Sequence, residues 1–374
     1  MIMLDVQKAF DSVDHKMLCE KIRLAGIEPD WFISYLENRK QTIYVNETFS
    51  SLQTIKCGVP QGSILGPWCY IMFCNDMPSC VDCTMVIYAD DTILLASGKD
   101  PNEVVTKLNG EIKKCYEWLT DNKLSMHQGK TEALIISSKR KQLKTKDITF
   151  NIDNHIITPS TEVKYLGLKL NNTLSGDEIV NNIIGKSTSR LKLLYRHKDL
   201  FNKKTRKLLT KSLILCHYDY AIAAWYMGLT IKNKKRLQVA QNKVARFVLE
   251  LNNRAHIGQN ELDRVGVLRV EDRARQIILH HMYDIYHNDA PAYLCRTFHC
   301  NRTRYSTRSS NNAFTVPRTK GCAQNNFNVI GSKEWNNLPS NIKMSQSKDS
   351  YKQAVRAYLK AQAHQRETNE FIYY

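Results

Sequence analysis

Along the first 172 residues, apolar positions recur now at every second place and now at every third or fourth. Ile2-Met3-Leu4-Asp5-Val6 reads as an apolar strand that ends around an acid. From Asp14 the pattern predicts a short helix, with Leu18, Ile22 and Ala25 on one face and Gly26 as its stop. Residues 42–57 alternate loosely, as a hairpin does. Gly58 to Gly66 is a glycine-rich loop, and Pro67 opens an apolar helix that runs to about Asn75. Two short β-type runs, 84–88 and 92–96, flank Ala89-Asp90-Asp91, which predicts a hairpin with paired carboxylates at its turn. An amphipathic helix follows, with Val104, Leu108, Ile112 and Leu119 on one stripe. Strand-like segments come next, at 132–137, 147–158 and 163–170.

After Asn171 the character changes. Residues 178–251 read as two or three basic helices with leucine-rich inner faces, and 253–288 as further helix. Residues 300–328 are polar and weakly patterned, as a linker is, and a last helix is predicted near 349–363. No internal repeat is visible. The expected organisation is 1–172, 173–252 and 253–374.

The chain has 374 residues, enough for two or three cored domains, and ordinary contents of 43% hydrophobic and 24% charged residues. Its formal charge of +18 is not ordinary and points to a polyanionic partner. The charge concentrates between Lys186 and Arg246, where sixteen Lys/Arg face two acids, Asp199 and Asp219. Such a bias makes a binding surface more plausible than a merely solvated face. Eleven irregularly spaced cysteines suit a reducing compartment better than a disulfide framework. The acidic N-terminus is no signal region, and no apolar run is long enough to cross a bilayer, so the expectation is an intracellular, soluble protein without a membrane partner.

Chemistry is carried by acids in apolar surroundings. Asp5 ends an apolar strand, and Asp90-Asp91 tip an apolar hairpin. Desolvating a carboxylate costs several kcal/mol, and clustered carboxylates repel one another unless a cation neutralises them. Mg²⁺ answers both problems, since it takes one or two carboxylates plus substrate phosphates. Two such ions can brace an in-line phosphoryl displacement. An Asp-Asp turn in isolation would be a solvated hairpin tip.

The turn does not stand in isolation. Leu4-Asp5-Val6-Gln7-Lys8-Ala9-Phe10-Asp11 resembles the first palm motif of reverse transcriptases. Gly58 to Pro67 resembles the second, and Tyr88-Ala89-Asp90-Asp91 the third. Asn122 to Ser125 and Gly129-Lys130-Thr131-Glu132 resemble the fourth, and Val163-Lys164-Tyr165-Leu166-Gly167 the primer-grip hairpin. Gly331 to Pro339 resembles a segment near the end of many LINE-type (non-LTR) polymerases, which argues against group II intron maturases and telomerase. Viral RNA-dependent RNA polymerases usually carry Gly where this chain has Ala89.

The resemblance implies an α+β fold: a polymerase palm of antiparallel sheet with packed helices, then a basic helical thumb and a mostly helical C-terminal region. It implies RNA-directed DNA polymerase activity on an RNA template and a DNA primer with deoxynucleoside triphosphates. Asp5, Asp90 and Asp91 would hold two Mg²⁺ ions, with Mn²⁺ as a substitute, and Lys130 would serve the pyrophosphate leaving group. Phe10 would act as a steric gate against a 2′-hydroxyl. Gln61 and Gly62 would lie along template and nucleotide, Gly62 allowing close backbone approach. Tyr88 would pack beneath the primer end, and Lys203, Lys204, Arg206 and Lys207 would contact nucleic acid.

In the family a fingers subdomain precedes the first palm motif. Because this chain opens at that motif, the expectation is a fragment that lacks fingers and extends primers weakly by itself. The alternative is a catalytically idle remnant that still binds nucleic acid. Cys80 and Cys83 form a lone CxxC, read as structural, and His280-His281 are expected to flank a helix surface. Zinc at Cys295, His299, Cys300 and Cys322 is the less favoured reading, because their spacing fits no tetrahedral pattern. The sequence does not set an oligomeric state, and it does not choose between the nucleus and a cytoplasmic ribonucleoprotein.

Overall fold

A computed structural model describes residues 1–138, 148–152, 155–301 and 313–372, with helix and antiparallel sheet mixed as an α+β protein. Parts of the expected strand at 147–158 and of the polar stretch at 300–328 lie outside the described residues. The chain forms two compact units, Met1–Leu174 and Ser175–Tyr374.

Strand β1 (Ile2–Gln7) is the centre of the first unit. Its alternation is strict: Ile2, Leu4 and Val6 are at most 5% exposed, while Met3 and Asp5 face the other way. Burying each aliphatic side chain is worth about 1.5–3 kcal/mol, so a one-residue slip of register would be costly. Helix α1 (His15–Leu24) is capped by the Asp14 carboxylate, which accepts from the Met17 amide at 3.0 Å. Leu18 and Ile22 are buried as expected, but Ala25 is exposed and Cys19 takes its place on the inner face. Helix α2 (Asp30–Leu36) leads into two nested strand pairs, β2 (Lys40–Gln41) with β5 (Gln53–Thr54) and β3 (Tyr44–Val45) with β4 (Thr48–Phe49).

Helix α3 (Leu65–Cys74) starts two residues before Pro67, which therefore sits inside the first turn instead of opening it. There its missing N–H belongs to a group that lacks an intrahelical partner anyway. Hairpin β6 (Thr84–Tyr88) and β7 (Asp91–Leu95) precedes α4 (Pro101–Asp121), whose Leu108, Ile112, Cys115 and Leu119 are at most 1% exposed. Short strands β8 (Ser125–Met126) and β9 (Glu132–Ala133) both pair with β1, giving a five-stranded antiparallel sheet ordered β6-β7-β1-β8, with β9 also on β1. Hairpins β10 (Phe150–Ile152) with β11 (His155–Ile157) and β12 (Glu162–Tyr165) with β13 (Leu168–Asn171) complete the unit. Cys80 and Cys83 pack against the core that contains Cys115.

The second unit is mainly helical. It contains α5 (Asp177–Arg196), α6 (Lys203–Thr210), a π-helical turn (Lys211–Leu215), α7 (Ile231–Leu249), α8 (Gln259–Val265), α9 (Val270–His287), α10 (Phe327–Asn336) and α11 (Lys348–Ile372). Trp335 and Tyr351 are fully enclosed in its core, and the Tyr351 hydroxyl donates to Leu279 O at 2.9 Å. Of the two histidines expected at a helix surface, only His281 is exposed. His280 turns inward beside the Tyr351 ring with Nε2 enclosed, and burial lowers its pKa to about 4. No described helix is long and apolar enough to cross a membrane.

Candidate active site

Register brings the acids together. β1 and β7 pair antiparallel with Asp5 opposite Asp91 and Leu4 opposite Thr92. Because Leu4 points into the core, Asp5 must point out, and Asp91 lies across from it on the same face. Side chains so placed have β-carbons about 5 Å apart. Asp90 follows Ala89 in the β6–β7 turn, where Ala89 adopts φ 53°, a left-handed conformation costing about 1–2 kcal/mol for a residue with a Cβ. Tyr88, opposite Asp91 on the neighbouring strand, is 64% exposed on that face.

Two open pockets meet at Asp5 and Lys130, which line both. One also contains Asp91, Glu132, Lys164 and Tyr165; the other contains Phe10, Gln61, Asp90 and His127. The Phe10 ring rests on Tyr70, with centroids 4.8 Å apart. Gln61 Nε2 donates to Asp11 Oδ1 at 2.9 Å, tying the glycine-rich loop to the segment after β1. Gly62 has φ 80° and open space where a Cβ would stand, so its backbone angle requires glycine whether or not a ligand approaches.

The electrostatics are unbalanced. Lost hydration, and then the charges of Asp90 and Asp5, push the Asp91 carboxyl above the usual range. Lys130 Nζ stands 3.8 Å from Asp5 Oδ2, but it is 66% exposed, and so screened a pair stabilises little. Among the described residues, no three His, Cys, Asp or Glu side chains close on one point, neither here nor at Cys295, His299, Cys300 and Cys322. A carboxylate pair, Asp5 opposite Asp91 with Asp90 beside it, suits a hard divalent ion that takes one or two carboxylates and draws its other ligands from substrate phosphates and water. The same chemistry gives no support to zinc at the cysteines.

The raised Asp91 carboxyl has a stability consequence in metal-free buffer. Below its unfolded pKa the group is neutral in both states and costs nothing. As pH rises through the higher folded value, ionisation is resisted more in the folded protein, so stability falls. Asp91→Asn should therefore raise the melting temperature at pH 7, and the gain should shrink below about pH 4. Mg²⁺ should stabilise the wild type more than the variant. A variant that melts below the wild type at pH 7 without metal would contradict this reading.

Not all the expected binding residues group together. Lys203, Lys204 and Lys207 are exposed and make no ion pair among the described residues. Arg206 turns inward: Nε donates to Phe201 O at 3.0 Å, Nη2 to Lys198 O at 2.8 Å and Nη1 to Phe247 O at 3.3 Å. Its expected contact with nucleic acid is replaced by an internal role, because its donors are already engaged. The sequence motifs include Glu132, Lys164 and Tyr165 without singling them out as site residues, and they do not include His127; all four line the pockets beside Asp5. Glu132 reaches the Asp5 face through the pairing of β9 with β1 opposite Met3, a contact between segments distant in sequence.

Comparison with known proteins gives this site a setting. Residues 1–170 match the reverse transcriptase (RNA-dependent DNA polymerase) family. A probable RNA-directed DNA polymerase from transposon BS of Drosophila melanogaster is 28% identical over 267 residues, which is 67% of this chain and 29% of that protein. The corresponding probable polymerase of the X-element is 26% identical over 66% of this chain and 28% of its own length. The RNA-directed DNA polymerase from the mobile element jockey of Drosophila funebris is 30% identical over 46% of this chain and 19% of its own. The chain thus spans less than a third of the length of these relatives. Residues 1–170 belong to the reverse transcriptase family, and the kinship with non-LTR transposon polymerases read from the sequence motifs holds.

Proposed function

We propose that the first unit is the palm of an RNA-directed DNA polymerase, which adds deoxynucleotides to a DNA 3′ end on an RNA template. The observation that carries this reading is the pairing of Asp5 with Asp91 beside Asp90, on a sheet face bordered by two pockets. Asp5, Asp90 and Asp91 would hold Mg²⁺ ions, which supply charge neutralisation for the attacking and leaving oxygens. Lys130, which lines both pockets, would meet the leaving pyrophosphate. Gln61 and Gly62 border the template and nucleotide path, and Tyr88 supports the primer end. Lys164 and Tyr165 extend that support from the β12–β13 hairpin. The basic helices of the second unit act as a thumb, with Lys203, Lys204 and Lys207 as phosphate contacts.

Phe10 makes the reading specific for deoxynucleotides. Its ring lines the pocket with Asp5 and Asp90 and is held by Tyr70, so it cannot retreat without repacking. Phe10→Val should relax discrimination against ribonucleotides by roughly 10–100-fold, the value of a lost close contact of about 1–3 kcal/mol. Competitive incorporation of dCTP against CTP measures the ratio. An unchanged ratio in a variant that still extends primers would remove Phe10 from this role.

The reading as a whole is tested by primer extension on an RNA template. Binding of primer–template without any extension, in Mg²⁺ or Mn²⁺, would leave a nucleic-acid-binding protein and not a polymerase.

A further inference from the structure

The stretch that follows β1 folds back onto the glycine-rich loop. Lys8, at φ 49°, turns the chain out of the strand into a 3-10 turn at Ala9–Asp11. Val59 N then donates to Phe10 O, and Gly58 N to Val13 O, each at 2.7 Å. Gly58 lies so close to this stretch that a Cβ would meet Asp11 O at 2.8 Å, and its φ of 90° also demands glycine. The remaining polar group of Gly58, its carbonyl, is met by a side chain: His15 Nε2 lies 2.7 Å from Gly58 O. A carbonyl can only accept, so this ring nitrogen carries a proton and donates.

His15 is placed for this contact by the start of α1, of which it is the first residue. The residue before it, Asp14, is fixed from two sides, by Met17 N at 3.0 Å and by Lys123 Nζ at 2.7 Å. The imidazole is half-buried and lies in neither of the two pockets at Asp5. What it can affect is a wall. The pocket that contains Asp90 is lined by the continuous stretch Asp5 to Phe10, and Gln61 is the residue of the glycine-rich loop that closes it. Phe10 and Gln61 are joined through the Val59–Phe10 bond and through the bond from Gln61 to Asp11. Gly58, which His15 holds, is the root of that wall.

We propose that His15 is a positioning residue for nucleotide selection: by holding Gly58 O it fixes the spacing between Gln61 and the Phe10 ring, and so how closely a sugar fits between them. The inference rests on the polymerase reading above. His15 itself touches no substrate; it acts through the loop. Displacements of about 1 Å in a substrate-positioning group are enough to change rates and selectivity. With the bond to His15 gone, Gly58 keeps its amide bond to Val13 but loses the restraint on its carbonyl, and the loop swings on that one point. The pocket then widens on the side opposite Phe10, and a 2′-hydroxyl gains room.

The experiment is competitive incorporation of dCTP against CTP by the full chain, together with amide exchange on the same proteins. His15→Leu should relax discrimination about 5-fold, the effect of one lost hydrogen bond, and raise the KM for dCTP by a similar factor with kcat changed less than about 2-fold. His15→Gln, whose amide nitrogen stands as many bonds from Cβ as Nε2 does, should restore both. In a Phe10→Val background His15→Leu should add little, because the ring whose spacing it sets is gone. Exchange at Gly58 and Val59 should quicken about 5-fold in His15→Leu and stay as in the wild type in His15→Gln. Equal relaxation in the two His15 variants, lower extension at unchanged selectivity, full additivity with Phe10→Val, or unchanged exchange in His15→Leu would each overturn the inference. If the wild type makes no product, the polymerase reading falls and the selection role with it. If the wild type extends primers and His15→Leu selects as the wild type does, only this inference falls.

Discussion

Arg206→Ala should destabilise the second unit by about 1–3 kcal/mol, because it leaves enclosed carbonyls without their donor. The guanidinium is 9% exposed and pairs with Glu250 Oε1 at 2.9 Å, besides donating to the carbonyls of Lys198, Phe201 and Phe247. It also lies over the Phe247 ring, at 5.2 Å, and that ring meets Tyr195 edge-on at 4.8 Å. Phe247 belongs to the last turn of α7, whose carbonyls have no intrahelical donors. One side chain of α6 therefore ties the connection between α5 and α6 to the end of α7. Arg206→Lys should recover little, because an ammonium cannot fork toward three carbonyls. Lys203→Glu and Lys204→Glu, on the exposed side of the same helix, should each change stability by less than about 0.5 kcal/mol. Urea denaturation compares them. An Arg206→Ala protein within about 0.5 kcal/mol of the wild type would show that the carbonyls find other donors.

That contrast illustrates what the sequence conveys and what it does not. Lys203, Lys204, Arg206 and Lys207 form one basic string, and charge alone cannot divide it. Helical spacing could have helped, since Arg206 and Thr210 are four apart and both buried. Certainty needed the partner carbonyls, which come from up to 41 residues away. The π-helical turn was invisible for the same reason: an inserted residue leaves the local pattern helical. His280 and His281 are adjacent on one helix, and only the packing of Tyr351 against α9 decides which is enclosed.

The acidic site was more legible because strand parity is a local property. Once Leu4 is inward, Asp5 is outward, and the Thr84–Leu95 hairpin fixes where Asp90 and Asp91 stand. What parity could not supply was the partner strand. That Asp5 faces Asp91, with Glu132 beside Met3, depends on pairings between segments 86 and 129 residues apart. The glycine-rich loop was legible as a loop, but its tie through Gln61 and Asp11 to the segment after β1 was not.

Asp90→Ala should lower primer extension on the order of 1,000-fold, about 4 kcal/mol of barrier, the scale of losing a preorganised charge at a reacting centre. The substitution is clean because Asp90 is exposed at the hairpin tip, and its charge only adds to the load on Asp91. Folding should survive it, and the melting temperature without metal should hold or rise. The variant should bind primer–template as well as the wild type does, since the proposed phosphate contacts lie elsewhere. The most direct measurement is extension of a DNA primer on an RNA template by the full chain, with Mg²⁺ and with EDTA, for wild type and Asp90→Ala. The account predicts product from the wild type in Mg²⁺ alone and almost none from the variant. Equal extension by the two proteins, or extension that persists in EDTA, would contradict it.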